Sequence, residues 1–319
     1  MNNYNKWIDL GLKKGLEDIE VHILETTNLS LNVYEGKVDQ NEISKSKKAI
    51  IKGIYNKKAA QVSVENLSDE NINVMLDKLL DSAKNVTSKE PALIFEGSKE
   101  YVEVEEDLFD FSTIDPTTKV ETLINIEKGI YENELVKKVQ TVSYSESESK
   151  TTIVNSKGLN LSRHSTYATI YAIGVYEKDE QIKSGLSYQL VKKYNDIDVN
   201  KLINENIEIG TAQLGAKSIT SGKYPVVFDN EQFGNVLSVF SSIFSGEAAF
   251  RNLTKLNDRQ GQKIASDIVN LVDDPFHEKA LFKVPFDDEG VATKRRQWIK
   301  DGVFTGFAHN LKTSTSFNE

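Results

Sequence analysis

The side chains best suited to metal binding or proton transfer are four histidines and two acidic clusters. The histidines are His22, His164, His277 and His309. The clusters are Asp273-Asp274, before Pro275, and Asp287-Asp288-Glu289-Gly290, after Pro285-Phe286. Zinc sites draw on Cys, His and carboxylate ligands held at close spacing. The chain has no cysteine, and no two histidines stand one helical turn apart. His277-Glu278 begins like a zinc-protease motif, but Lys279 to Phe282 supply no second histidine, so an ordinary loop after Pro275 is expected. His22 lies in an alternating run and His164 near a strand end, where structural roles are expected. The acidic clusters suit hard-cation ligation or acid/base chemistry. Asp and Gly equally favour turns. The run Ser143 to Ser149, with Glu146 and Glu148 interleaved, reads as a strand end or loop, because no histidine partner makes a nucleophile of its serines. Ser221-Gly222-Lys223 and Ser245-Gly246-Glu247 lack the full spacing of a phosphate-binding loop.

These residues need elements to hold them. A helix is expected over Asn3 to Lys14, followed by strands at Ile19 to Ile23, Leu29 to Val33, Ala49 to Ile51 and Ala60 to Val64. Gly36 suits the turn in Tyr34-Glu35-Gly36-Lys37. Ser68 caps a helix running to Ala83. The same order then returns. A helix over Thr117 to Tyr131 leads to strands at Val136 to Ser143 and Thr151 to Val154 and a turn at Asn155 to Gly158. Strands at Thr166 to Tyr176 and Ile182 to Tyr188 follow, then a helix from Asp198 to Leu214. Gly53-Ile54-Tyr55-Asn56-Lys57 parallels Gly174-Val175-Tyr176-Glu177-Lys178, which supports a duplicated unit. The acidic stretch Ser88 to Pro116 joins the halves and holds Pro91 and Pro116.

A third region begins near Ser221. Tyr224 to Phe228 reads as a short buried strand, and Asp229-Asn230 caps a helix to Phe244 whose apolar side is Phe233, Val236, Leu237, Phe240 and Phe244. Arg296 to Lys300, Asp301-Gly302 and Val303 to Phe307 form a hairpin pattern, since Asp-Gly suits a type I′ turn. The expected class is α+β. A duplicated helix-strands-helix region, residues 1–112 and 113–218, precedes a strand-rich domain over residues 219–319.

The chain has 319 residues, is 39% hydrophobic and carries a formal net charge of -9. That composition is ordinary for a globular protein with a sizeable core. Direct nucleic-acid binding is disfavoured, because affinity there rests on phosphate neutralisation and the basic patches Lys45 to Lys48 and Lys294 to Arg296 are short. No apolar run is long enough to cross a membrane. The N-terminus lacks a secretory pattern, so a cytoplasmic location is expected.

Several motifs together resemble the TldD/PmbA family. They are Ser221 to Phe228, Gly261 to Ser266, Asp273-Asp274-Pro275, Phe286 to Arg295 and Ile299 to Gly306, with Asn155 to Gly158 upstream. The resemblance covers nearly the whole chain and is most specific from Gly261 to Leu311. It implies a heteromeric zinc metallopeptidase acting on unfolded peptides, also labelled a modulator of DNA gyrase. One subunit type, TldD, carries His-Glu-x-x-x-His on a helix. The other, PmbA or TldE, lacks it. Here the corresponding segment reads Leu237-Ser238-Val239-Phe240-Ser241-Ser242, so the PmbA/TldE type is implied, with no catalytic or metal residue of its own. On that resemblance the C-terminal domain is truncated at Glu319. Zinc belongs to a TldD-type partner, with a homodimer when that partner is absent. Asp287, Asp288, Glu289 and Gly290 are candidates for lining a peptide groove. Two other readings stand beside this one: a stand-alone metal-dependent hydrolase using the Asp/Glu clusters, and a non-enzymatic binding or regulatory module.

Overall fold

The computed structural model describes residues 4–87 and 92–318. Asn3, Ser88, Pro91 and Glu319, named above, lie outside the described residues. Two units with the same element order make up the first two-thirds. The first comprises α1 (Tyr4–Lys13), β1 (Asp18–Tyr34), β2 (Lys37–Tyr55), β3 (Lys58–Val64) and α2 (Asp69–Asn85). The second comprises α3 (Pro116–Tyr131), β4 (Val136–Asn155), β5 (Asn160–Lys178), β6 (Gln181–Val191) and α4 (Val199–Ala212). Their strands form one antiparallel sheet in the order β3-β2-β1-β4-β5-β6, with the two units meeting at β1 and β4.

The strands are far longer than the sequence runs suggest. Ile19 to Ile23 and Leu29 to Val33 belong to one continuous strand. The stretch between them, Leu24 to Asn28, stays extended because it pairs with β2 on one side and β4 on the other. Ser143 to Ser149 is likewise mid-strand, held by β1 and β5. It is not a loop or strand end, because polar residues remain extended when both edges are hydrogen-bonded.

Alternation along β1 sorts the layers. Ile19, Val21 and Ile23 join a core beneath α1 and α2, and Leu31 and Val33 join a second core beneath α3 and α4. All are odd-numbered, so both cores lie on one face of the sheet, toward opposite ends of the long strands. Ser68, Asp115 and Asp198 each cap a flanking helix by accepting a backbone N–H in its first turn.

Gly53 and Gly174 do not occupy equivalent rungs. Gly53 is in the third pair from the β2–β3 turn and Gly174 in the fifth from the β5–β6 turn. The even difference keeps both on the helix-covered face. A Cβ on Gly53 would meet Leu79 at 3.0 Å, and one on Gly174 would meet Asn206 Oδ1 at 2.4 Å. Each glycine thus lets a helix approach its strand.

The third region holds α5 (Asn230–Phe240), a 3-10 turn over Ser241–Phe244, α6 (Gly246–Phe250), β7 (Leu271–Asp273), β8 (Arg296–Lys300), β9 (Val303–Phe304) and α7 (Leu311–Phe317). The β8–β9 hairpin turns on Asp301 and Gly302, both at positive φ (48° and 76°), as a type I′ turn requires. A small core of Phe244, Leu256, Ile299 and Phe304 holds this region together.

Two expectations for this region fail. Tyr224 to Phe228 forms no strand, and Val227 is 97% exposed. Pro225 lacks a backbone donor, and among the described residues no strand pairs with this segment. The helix after it ends at Phe240, earlier than expected, and none of its residues is buried. Phe233, Val236 and Phe240 are exposed, while Phe244, past the helix end, is the one residue of the expected apolar side that enters a core.

Candidate functional site

The sheet has a free edge where its strands differ in length. β5 spans Asn160–Lys178, but β6 pairs with it only from Ala168 onward. Residues 160–167 are bonded to β4 on one side, and among the described residues no strand pairs with their other side. The same mismatch recurs in the first unit, where β3 pairs with β2 only from Ala49.

A cleft of about 800 Å³ follows the free edge of β5. Residues 161–166 form one wall, residues 101–108 of the linker a second, and residues 280–286 of the third region a third. Arg163 and His164 bring polar groups to it from neighbouring positions of the strand. His164 Nε2 lies 2.9 Å from Glu148 Oε1. Tyr167, three residues further along β5, packs edge-on against Phe282, with ring centroids 5.4 Å apart.

The cleft is built by long-range contacts. On the sheet face opposite the helices, Ile153, Leu159 and Phe286 form a small core, with Tyr101 and Leu161 packed against it. Tyr101 donates its hydroxyl to the Gly290 carbonyl at 2.7 Å, and the Ala292 N–H donates to Ser98 Oγ at 2.9 Å. Arg163 donates to Asp288 at 2.6 Å and to the Phe286 carbonyl at 3.2 Å. Its guanidinium also sits over the Phe286 ring.

The four expected groove residues form a clasp beside this cleft, whose lining ends at Phe286. Asp287 Oδ1 accepts the N–H groups of Glu289 and Val291 and so organises its own turn. Glu289 Oε2 accepts the Leu311 N–H at 2.8 Å. Burial pushes the Glu289 carboxyl above the usual carboxylate range. Gly290 has φ +80°, and a Cβ there would come within 2.6 Å of Leu159, so this position requires glycine twice over. Asp288 alone reaches the cleft rim, through Arg163. In the other acidic cluster Asp274 Oδ1 accepts the Phe276 N–H, again as a turn former.

The histidines are dispersed. His22 bonds Glu20 at 2.9 Å on β1, His164 bonds Glu148, and His277 Nδ1 accepts the Lys279 N–H in a loop. Sequence reasoning missed Arg163. A lone arginine in a polar strand carries no local signal, because the partner that gives it a role is 125 residues away.

Residues 221–319 match the PmbA/TldA metallopeptidase C-terminal domain, and residues 109–214 match the central domain of the same metallopeptidases. The chain belongs to the PmbA/TldD family. Among similar PmbA/TldD proteins, a metalloprotease PmbA of Escherichia coli is 24% identical over 302 residues, covering 93% of this chain and 67% of its own length. A metalloprotease PmbA homolog of Buchnera aphidicola is 26% identical, covering 92% of this chain and 67% of its own length. The chain thus spans about two thirds of the length of these relatives. A Thermotoga maritima structure named for modulation of a DNA gyrase superposes with a TM-score of 0.88 at 27% identity, covering 99% of this chain and 72% of that one. The fold is also that of TldE from Thermococcus kodakarensis, with a TM-score of 0.84 at 21% identity, covering 99% of this chain and 72% of that one.

The metallopeptidase names raise the question of a metal. Leu237 to Ser242, where the resemblance aligns the zinc motif, spans the end of α5 and the 3-10 turn and offers only apolar and hydroxyl side chains. Among the described residues, no group of three His, Cys, Asp or Glu side chains is placed to hold a metal ion. This donor set does not fit zinc. No helix among the described residues is long and apolar enough to cross a membrane.

Proposed function

We propose that this chain is the PmbA/TldE-type subunit of a two-subunit peptidase. It holds an unfolded peptide as an added strand and leaves the hydrolytic metal to a TldD-type partner. The free edge of β5 inside the cleft carries this reading. An extended peptide that joins a sheet edge is gripped through its main chain, so many sequences bind alike. Unpaired N–H and C=O groups of residues 160–167 provide that grip, and Arg163 and His164 stand beside it. A folded protein cannot offer a free strand there, which restricts the site to unfolded segments.

Three observations support the division of labour. The relatives carry metalloprotease names. The helix segment Leu237 to Ser242 lacks zinc-ligand types. Asp274, Asp287 and Asp288 of the acidic clusters are engaged in turns and in the Arg163 clasp, which weakens a stand-alone hydrolase reading. Asp288 and its neighbours then act on the groove by fixing Arg163 at its rim.

Hydrogen–deuterium exchange with and without an uncharged unfolded peptide tests the grip. Amides of residues 160–167 gain protection on peptide addition. Protection confined to other segments would place the peptide elsewhere.

A further inference from the structure

A second cleft, of about 590 Å³, lies on the helix-covered face of the sheet, between the cores of the two units. Its floor is a row that crosses the strands. Ile43 pairs with Leu29 and Leu29 with Glu146, and beside them Thr27 pairs with Glu148 and Glu148 with Thr166. Phe109, Phe111 and Ile114, where the linker enters α3, form the roof. Three residues, Leu108, His164 and Thr166, line both clefts. The two spaces therefore meet around the free edge of β5, beside the point where the Phe109 N–H donates to Thr166 Oγ1 at 2.9 Å.

We propose that this second cleft is a side-chain pocket for apolar residues of the peptide held along the free edge of β5. The inference rests on the groove reading above and adds a preference to it: of two unfolded segments, the one with an apolar run is held more tightly. Continuity through Leu108, His164 and Thr166 gives a bound strand a path from one cleft to the other.

The lining chemistry selects the ligand. Leu29, Ile43, Phe109 and Ile114 present hydrocarbon, and Ile43 is 66% exposed, so covering it removes apolar surface from water. The charges at depth are already matched. Lys119 is 4% exposed, and its ammonium lies 2.5 Å from Glu146 and 2.8 Å from the Phe111 carbonyl. Tyr144 donates to the same Glu146 carboxylate at 2.8 Å. With those groups satisfied among themselves, the depth of the cleft asks for no charge on its ligand. A folded protein keeps its larger apolar side chains inside, so the pocket adds a second reason for the site to prefer unfolded chains.

The test uses two fluorescein-labelled peptides of Gly, Ser, Thr and Gln. One carries a Leu-Val-Leu run and its twin carries Ser-Thr-Ser there. Affinities come from fluorescence anisotropy with the full 319-residue chain. The apolar peptide binds about tenfold tighter, the effect of burying roughly one leucine-sized side chain. Ile43→Asp brings the ratio of the two dissociation constants close to one. Because Ile43 is exposed, this variant keeps the wild-type circular dichroism spectrum. A photo-leucine version of the apolar peptide, mapped by mass spectrometry on the unaltered chain, cross-links to the cleft-facing linker around Phe109 and to β2 around Ile43. Equal binding of the two peptides overturns the pocket and leaves the groove standing. Cross-links confined to the exposed face of α5, around Phe233 and Phe240, also overturn it. Failure of both peptides to bind overturns the groove and the pocket together.

Discussion

Arg163, near the start of β5, donates to Asp288 in the third region at 2.6 Å and covers the Phe286 ring with its guanidinium. This contact joins the wall that carries the free strand edge to the turn beside the cleft. Asp288 is 87% exposed at its side chain, so water screens the charge pair. Its worth is about 1 kcal/mol, with the ring contact adding a similar amount. Arg163→Ala therefore lowers stability by about 1–2 kcal/mol in urea unfolding. It also speeds proteolysis within residues 276–295. Unchanged cleavage rates there would show that the turn is held without Arg163.

Asn206 on α4 is fully buried and knits the helix to the sheet. Its amide donates to the carbonyls of Ala172 and Gly185, and its Oδ1 accepts the Tyr176 hydroxyl at 2.7 Å. Burial pushes the Tyr176 phenol up to about 12. Asn206→Ala strands these partners in the core and costs about 2–4 kcal/mol by chemical denaturation. A loss below about 1 kcal/mol would mean that α4 does not sit on β5 and β6 as described.

Glu289 gives the clasp a pH dependence. Burial raises its carboxyl, with the charges of Asp287 and Glu20 adding to the rise and the Leu311 N–H and Lys52 opposing it. A carboxyl whose folded pKa exceeds its unfolded value binds its proton more tightly when folded. That contribution to stability is full below the ordinary glutamate value of 4.5 and is lost as pH rises through the folded pKa. Glu289→Gln removes the ionised form and keeps an acceptor for Leu311. The variant is more stable than the parent near neutral pH, and the advantage shrinks as pH falls toward the ordinary glutamate value. An advantage that grows with acid would reverse the assigned sign.

Phe240 lies at the end of α5 and is 56% exposed. The sequence pattern puts it in a core, where truncation to alanine costs about 3–5 kcal/mol. Its observed position predicts a change of under about 1 kcal/mol for Phe240→Ala in this chain, measured by urea unfolding. A larger loss would return Phe240 to a core.

The contrast at α5 shows what local pattern conveys. Capping by Asp229 and helical spacing made that helix legible, but periodicity marks an apolar face without saying what covers it. Tyr224 to Phe228 fails for the same reason: an apolar run becomes a strand only where a partner strand meets it. By contrast, Asp301-Gly302 was readable because its information is local, a backbone shape that few residue pairs adopt. The repeated element order was readable from composition and turns. The free edge was not, since it depends on β5 running past β6, and the polar stretches that lengthen the strands resemble loops. Asp287 to Gly290 were found as a cluster, yet their role depends on Tyr101, Leu159 and Arg163, each far away in sequence.

Reconstitution with a TldD-type zinc-bearing partner tests the proposed division of labour most directly. The partner alone, this chain alone and the mixture are each assayed for cleavage of an unfolded peptide, with and without a chelator. Cleavage requires both proteins, stops with the chelator and disappears when the partner's motif histidines are replaced. Cleavage by this chain alone in the presence of chelator, after contaminating peptidases are removed, would contradict the assignment.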